Sequence, residues 1–200
     1  MSEFSKYETI VEIGSMYCYP GTNVLRNKLK IKDAGILKEA VLKIVATRQF
    51  ELYQMPVPGR FTKNHLLNIH KALFGDVFYF AGKIRQEQIS KGNTMFYPPQ
   101  VIENELDKLF AQIKTFVDSH TKKKDVIFKN LALFMAELNA IHPFREGNGR
   151  AIREFIRLLG LNYDFVLNWG NTDEDIILEA SIRSVDDDTA LIDVLEQRSE

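Results

Sequence analysis

The sequence predicts a mainly α, single-domain helical bundle with one β-hairpin. Three observations carry that expectation. Apolar residues recur at helical spacing along most of the 200-residue chain. Proline and glycine, rather than long polar linkers, punctuate those stretches. One segment, residues 82–98, instead shows two short runs, IRQEQIS and TMFYP, flanking Lys91-Gly92-Asn93, which is a hairpin signal.

Each element follows in order. After a Pro20-Gly21 turn, Val24, Leu25 and Leu29 sit at helical spacing ahead of Ile31. Residues 34–53 carry apolar side chains at 36, 37, 41, 44, 45 and 52 and read as a helix, broken by Pro56, Pro58 and Gly59. Thr62 suits the N-cap of a helix over 63–74. Within it His65 and His70 are five residues apart, which does not set two metal ligands on one helical face. Gly82 is expected to end the helical stretch before the hairpin, and Pro98-Pro99 closes the hairpin. An isolated two-stranded hairpin needs a helix to lean on. Helices are expected over 100–117, 125–140 and 149–160, then after a Thr172-Asp173-Glu174-Asp175 capping box, and last after Asp187-Asp188.

Composition narrows the function classes. Hydrophobic residues make up 45% and charged residues 26%, with a net charge of −1, so no field recruits nucleic acid or an anionic membrane. The Lys122-Lys123-Lys124 run reads as a solvated inter-helix loop. Cys18 is the sole cysteine, which fits a reducing compartment. The opening residues lack a secretory pattern and no run is apolar enough for a membrane span, so a cytoplasmic protein is expected.

The chemistry concentrates in residues 142–153, HPFREGNGRAIR. The helix before it is apolar nearly all round, which suits the middle of a bundle. Pro143 pushes His142 just past that helix end. The next helix starts near Gly149, with Ile152, Phe155, Ile156 and Leu159 on one stripe and Arg150, Arg153 and Arg157 opposite. A glycine-bearing loop entering a helix N-terminus is a ready anion site, and guanidiniums grip phosphate bidentately, which together point to a di- or triphosphate. Glu146 in such a site calls for a cation, and Mg²⁺ uses few carboxylates beside phosphate oxygens. His142 is the candidate general base.

The segment HPFREGNGRAIR resembles the signature of Fic-domain proteins, HxFx(D/E)GNGRxxR, at every fixed position. The opening YCYPGTNVLRNKLKI is similar to the small toxin-type Fic proteins, so the likeness extends over nearly the whole chain. The resemblance implies a Fic-fold helical bundle with one β-hairpin flap: one domain over 1–200, with an N-terminal extension to about 33, a flap over about 84–97 and the motif at 142–153. It implies AMP transfer from ATP to a protein hydroxyl. His142 would be the base, and Phe144 would anchor the loop. Glu146 would bind Mg²⁺, and Gly147, Asn148 and Gly149 would form the anion hole at the α-phosphate. Arg150 would hold the β-phosphate and Arg153 the γ-phosphate. The flap residues Ile89, Ser90, Lys91, Gly92, Asn93, Thr94, Met95 and Phe96 would clamp the target by strand addition. Asn168 and Trp169 are candidates for the adenine pocket, against a plain core role for the Trp.

Many Fic proteins carry an inhibitory helix, (S/T)xxxE(G/N). Here the only Glu-Gly is Glu146-Gly147 in the motif, and the only Glu-Asn, Glu103-Asn104, follows Pro99. Inhibition is therefore expected in trans, from a small antitoxin whose glutamate reaches Arg153. By resemblance alone, the targets would be subunits of DNA gyrase or topoisomerase IV. The alternatives are a different phosphoryl or nucleotidyl transfer, or a non-catalytic binding module. Phosphorylating relatives replace the second glycine of GNG with lysine, and Gly149 argues against that version.

Overall fold

In a computed structural model of the chain, residues 9–10, 14–91, 94–169, 174–184 and 189–199 are described. The elements are β1 (Thr9–Ile10), α1 (Ala34–Gln54), α2 (Lys63–Phe74), β2 (Ser90–Lys91), β3 (Thr94–Met95), α3 (Pro99–Asp118), α4 (Lys124–Ile141), α5 (Asn148–Leu161), α6 (Glu174–Arg183) and α7 (Thr189–Gln197). The mainly helical expectation holds.

Helix starts follow local chemistry. Asp33 caps α1 by accepting from the Ile36 N–H, and Thr62 caps α2 by accepting from the His65 N–H. Pro99 opens α3, where its missing N–H costs nothing. The residues expected to cap α6 and α7, Thr172-Asp173 and Asp187-Asp188, lie outside the described residues.

α4 forms the middle of the bundle and packs against α3, α5, α6 and α7. It buries Ile127, Phe128, Leu131, Phe134, Met135, Leu138 and Ile141. It is not apolar-buried all round, however, because Leu133 stays 45% exposed. Four neighbours leave one strip of a helix uncovered. α5 packs against α4 on one side and α2 on the other, so the turn between α4 and α5 lies where three helices meet.

Three expectations are corrected. Residues 24–29 form an irregular strap rather than a helix. Cys18 bridges to Leu25 and Asn27 bridges to Phe78. The Asn27 amide bonds the Leu25 and Ile31 carbonyls and accepts from the Ile31 N–H, so the backbone is satisfied without a helical ladder. Helix α2 stops at Phe74, and Gly82, at φ +76°, belongs to a separate turn. The hairpin is also not alone: β1 pairs antiparallel with β2, in register Thr9 to Lys91 and Ile10 to Ser90. The sheet order is β1-β2-β3, with Ser90 opposite Met95 and Lys91 opposite Thr94. The turn residues Gly92 and Asn93 lie outside the described residues.

Candidate functional site

The site begins at the end of α4. His142 is its C-cap, in the left-handed region at φ 50° and ψ 62°, with its N–H bonded to the Leu138 carbonyl. A non-glycine residue there costs on the order of 1–3 kcal/mol and persists only where its surroundings enforce it. Its Nδ1 lies 3.2 Å from the Asn139 carbonyl. A carbonyl only accepts, so Nδ1 carries the proton and Nε2 is the basic nitrogen. The Phe96 ring, at the end of the flap, stacks on the imidazole at 3.7 Å and 10°.

The loop then turns into α5. Phe144 is fully buried. Asn148 faces inward: its Oδ1 accepts from the Phe144 N–H at 2.8 Å and its Nδ2 donates to the Phe144 carbonyl at 2.7 Å. Its side chain therefore braces the loop, and its backbone N–H belongs to the first turn of α5. Gly147 caps α5 at φ +81°, and a Cβ there would stand 2.2 Å from the Phe74 ring, so no other residue fits. The Ala151 N–H is already bonded to the Gly147 carbonyl at 3.2 Å, whereas the N–H groups of residues 148–150 precede any helical acceptor.

Charge is placed around that helix start. The Glu146 carboxylate accepts from its neighbour's Gly147 N–H at 3.0 Å and lies 3.4 Å from Arg150 Nη2. The Arg150 guanidinium also sits 4.8 Å over the Phe74 ring. Arg153 folds back toward the helix start, with Nη1 3.3 Å from where a Gly149 Cβ would be. Arg157 does not join this row. It is buried, bonded through Nε and Nη2 to the Glu154 carboxylate and set 4.9 Å over the Tyr53 ring.

A profile of the Fic/DOC family matches residues 60–159 of this chain. The chain belongs to the Fic/DOC family. It is 36% identical over 174 residues to the probable protein adenylyltransferase y4lH of Sinorhizobium fredii, covering 86% of this chain and 89% of that protein. It is 35% identical over 185 residues to the protein adenylyltransferase VbhT of Bartonella schoenbuchensis, covering 92% of this chain but only 38% of VbhT. Among solved structures, the BepC protein of Bartonella tribocorum with bound AMPPNP superposes with a TM-score of 0.81 at 25% identity, over 92% of this chain and 96% of that one.

Two supports of the Fic loop, His70 and Arg85, were not legible as functional in the sequence. His70, on α2, is fully buried and stacks on Phe144 at 3.8 Å. Its Nδ1 accepts from the Gly82 N–H at 2.8 Å, so its Nε2 carries the proton and donates to the Glu146 carbonyl at 2.8 Å. Burial holds its pKa down at about 4, which keeps the ring neutral. Trp169 donates its indole N–H to the Arg153 carbonyl at 3.1 Å, bracing α5 beside the site. Arg85 is taken up below.

The flap residues separate by environment. Ile89 is buried beneath the flap, and Met95 is 76% exposed. Ser90, Lys91, Thr94 and Met95 form the ladder. Because β1 covers the outer edge of β2, the outer edge of β3 is the one carrying no further strand among the described residues.

Proposed function

We infer that this chain is a protein adenylyltransferase that moves AMP from ATP to a hydroxyl side chain of a target protein. The observation that carries the reading is one imidazole, locked as the Nδ1–H tautomer, at the lip of a helix start whose open N–H groups and two arginines suit phosphates. The target oxygen attacks the α-phosphorus, the bond to the β-phosphate bridging oxygen breaks, and pyrophosphate leaves. His142 Nε2 takes the hydroxyl proton. Of the expected anion-hole residues Gly147, Asn148 and Gly149, the Gly147 N–H is already taken by the Glu146 carboxylate, so the N–H groups of Asn148, Gly149 and Arg150 stabilise the charge that develops on the phosphoryl oxygens. Arg150 holds the β-phosphate and Arg153 the γ-phosphate.

Glu146 is the residue that would hold Mg²⁺. No group of three or more metal-ligating side chains occurs among the described residues, and one carboxylate with phosphate oxygens and water suits this ion. Bound there, Mg²⁺ neutralises phosphate charge. A target segment adds as a strand to the edge of β3, with Phe96 positioning its hydroxyl-bearing side chain over His142. The whole chain works as one Fic domain, with residues to about 33 as an extension and 84–97 as the flap. Among the described residues no helix is long and apolar enough to cross a membrane, and we place the activity in the cytoplasm. Subunits of DNA gyrase or topoisomerase IV are the first targets to assay. A small antitoxin, presenting the (S/T)xxxE(G/N) glutamate to Arg153, would hold the enzyme off.

The deciding experiment is incubation with Mg²⁺ and ATP labelled at the α or the γ position, in host lysate. Label from the α position on a protein band, lost in His142→Ala by about 10²–10⁴-fold, is the expected result. Label from γ alone would make the protein a kinase, and none from either position would mean a binding module or a lysate that lacks the target. Adding the product of the neighbouring gene tests the antitoxin: unchanged transfer would exclude it.

A further inference from the structure

We propose that Arg85 is a positioning residue that locks the flap and the His142-bearing cap of α4 into one unit. This rests on the transfer reaction for its kinetic consequence and on geometry alone for the coupling.

Arg85 precedes β2 and is only 1% exposed, which makes it the largest side chain buried so completely among the described residues. Buried cations are expected to meet a carboxylate. This one meets four main-chain carbonyls instead. Nε donates to the His142 carbonyl at 2.8 Å, and Nη2 donates to that of Ile141 at 3.3 Å. Nη1 donates to the Glu87 carbonyl at 2.7 Å, and Nη2 also reaches that of Tyr97 at 2.5 Å. Glu87 and Tyr97 are the two roots of the flap, so one planar group holds both legs of the hairpin and the last turn of α4. The main chain repeats the tie, since the Arg85 N–H donates to the Pro143 carbonyl at 2.9 Å.

The charge has a physical source of compensation. The last carbonyls of a helix have no internal partner, and the dipole there favours a cation. Ile141 and His142 end α4, so the guanidinium acts as its C-terminal cap. Burial and the charge of Arg145 lower its pKa to about 10, which still leaves it charged at neutral pH. The bonded carbonyl of His142 fixes the left-handed backbone that aims the imidazole at the cradle. The same cation sets the height of the flap, whose Phe96 covers that imidazole. Nothing in this set touches the N–H groups of residues 148–150, so the nucleotide cradle should be indifferent to Arg85.

The test compares the parent with Arg85→Lys, which keeps a charge but lacks the fork. The lysine variant should bind AMPPNP with Mg²⁺ within about twofold of the parent by calorimetry. It should lose about 10- to 100-fold in kcat per nucleotide-binding site, the scale of a misplacement near 1 Å. Nuclear magnetic resonance should show the His142 ring and residues 89–96 shifted together, with the 147–150 amides unmoved. Unchanged kcat per site would overturn the proposal, as would nucleotide affinity and rate falling in step. Should the variant not fold, the unmodified protein decides: the Arg85 Nε–H must be protected from solvent exchange, and it must shift when a target peptide engages the flap. Fast exchange, or no response, refutes the coupling. If the parent transfers no AMP at all, the proposed function falls and the resonance arm alone judges Arg85.

Discussion

Acid should loosen this protein through His70. In the native state the ring is neutral, with a pKa of about 4, because burial penalises the charged form by more than the bond to the Glu146 carbonyl favours it. In the unfolded chain the same group titrates near 6.5. Between those values the unfolded state binds a proton that the folded state refuses. Stability is therefore complete above about pH 6.5, falls as pH drops toward 4, and levels off below it. The gap of about 2.5 pH units corresponds to roughly 3 kcal/mol, a large part of a typical domain's stability. His65 is shifted in the same direction by burial, so the effect must be isolated by difference. Urea midpoints from pH 7.5 to 4 for the parent and for His70→Gln provide that difference. Glutamine can still donate to the Glu146 carbonyl but does not titrate. The variant should lose stability less steeply across this window, by about 3 kcal/mol in all. Parallel curves would refute the claim that the Glu146 carbonyl rests on a neutral imidazole.

Further outcomes follow from the same geometry. Asn148→Ala strips the partners from both main-chain groups of Phe144 and should cost about 2–4 kcal/mol in urea unfolding. Gly147→Ala meets both a positive φ and the Phe74 ring, so it should lower stability by about 2 kcal/mol or more and abolish nucleotide binding. Gly149→Ala meets only the tip of Arg153, so it should melt near the parent temperature while losing AMPPNP affinity in calorimetry. Phe96→Ala uncovers the His142 ring, so KM for the target should rise with the nucleotide Kd unchanged.

Much of the helical layout was legible because its punctuation is local. Thr62 caps α2 where its hydroxyl said it would, and Pro98-Pro99 and Pro143 mark the ends of α3 and α4. The motif was legible for the same reason, since its residues are contiguous. What escaped was long-range. His70 meets the Glu146 carbonyl across 76 residues, and Arg85 meets His142 across 57, so no spacing rule joins them. The sequence marks His70 only as one of two histidines five residues apart, and Arg85 only as one residue of a short strand run. Strand β1 was hidden because two residues carry no periodicity. The row of three arginines failed at Arg157 because rotation about a helix says nothing of a neighbour such as Glu154.

The motif's glycines suggest a pliable loop, but the bonding shows the opposite and explains the polarity of the site. The carbonyls of His142 and Pro143 accept from Arg85, that of Phe144 from Asn148, that of Glu146 from His70 and that of Gly147 from Ala151. The negative ends of these peptide dipoles are thus turned into the protein and consumed. The N–H groups that begin α5 have no helical acceptor and face the other way. A loop so bonded presents a fixed positive field, with Arg150 and Arg153 beside it, before any ligand arrives. Catalysis gains most from donors that need no reorganisation when charge develops. The buried side chains His70 and Asn148, which hold the carbonyls of Glu146 and Phe144, are therefore as much a part of the site's electrostatics as the arginines, although neither faces the cradle.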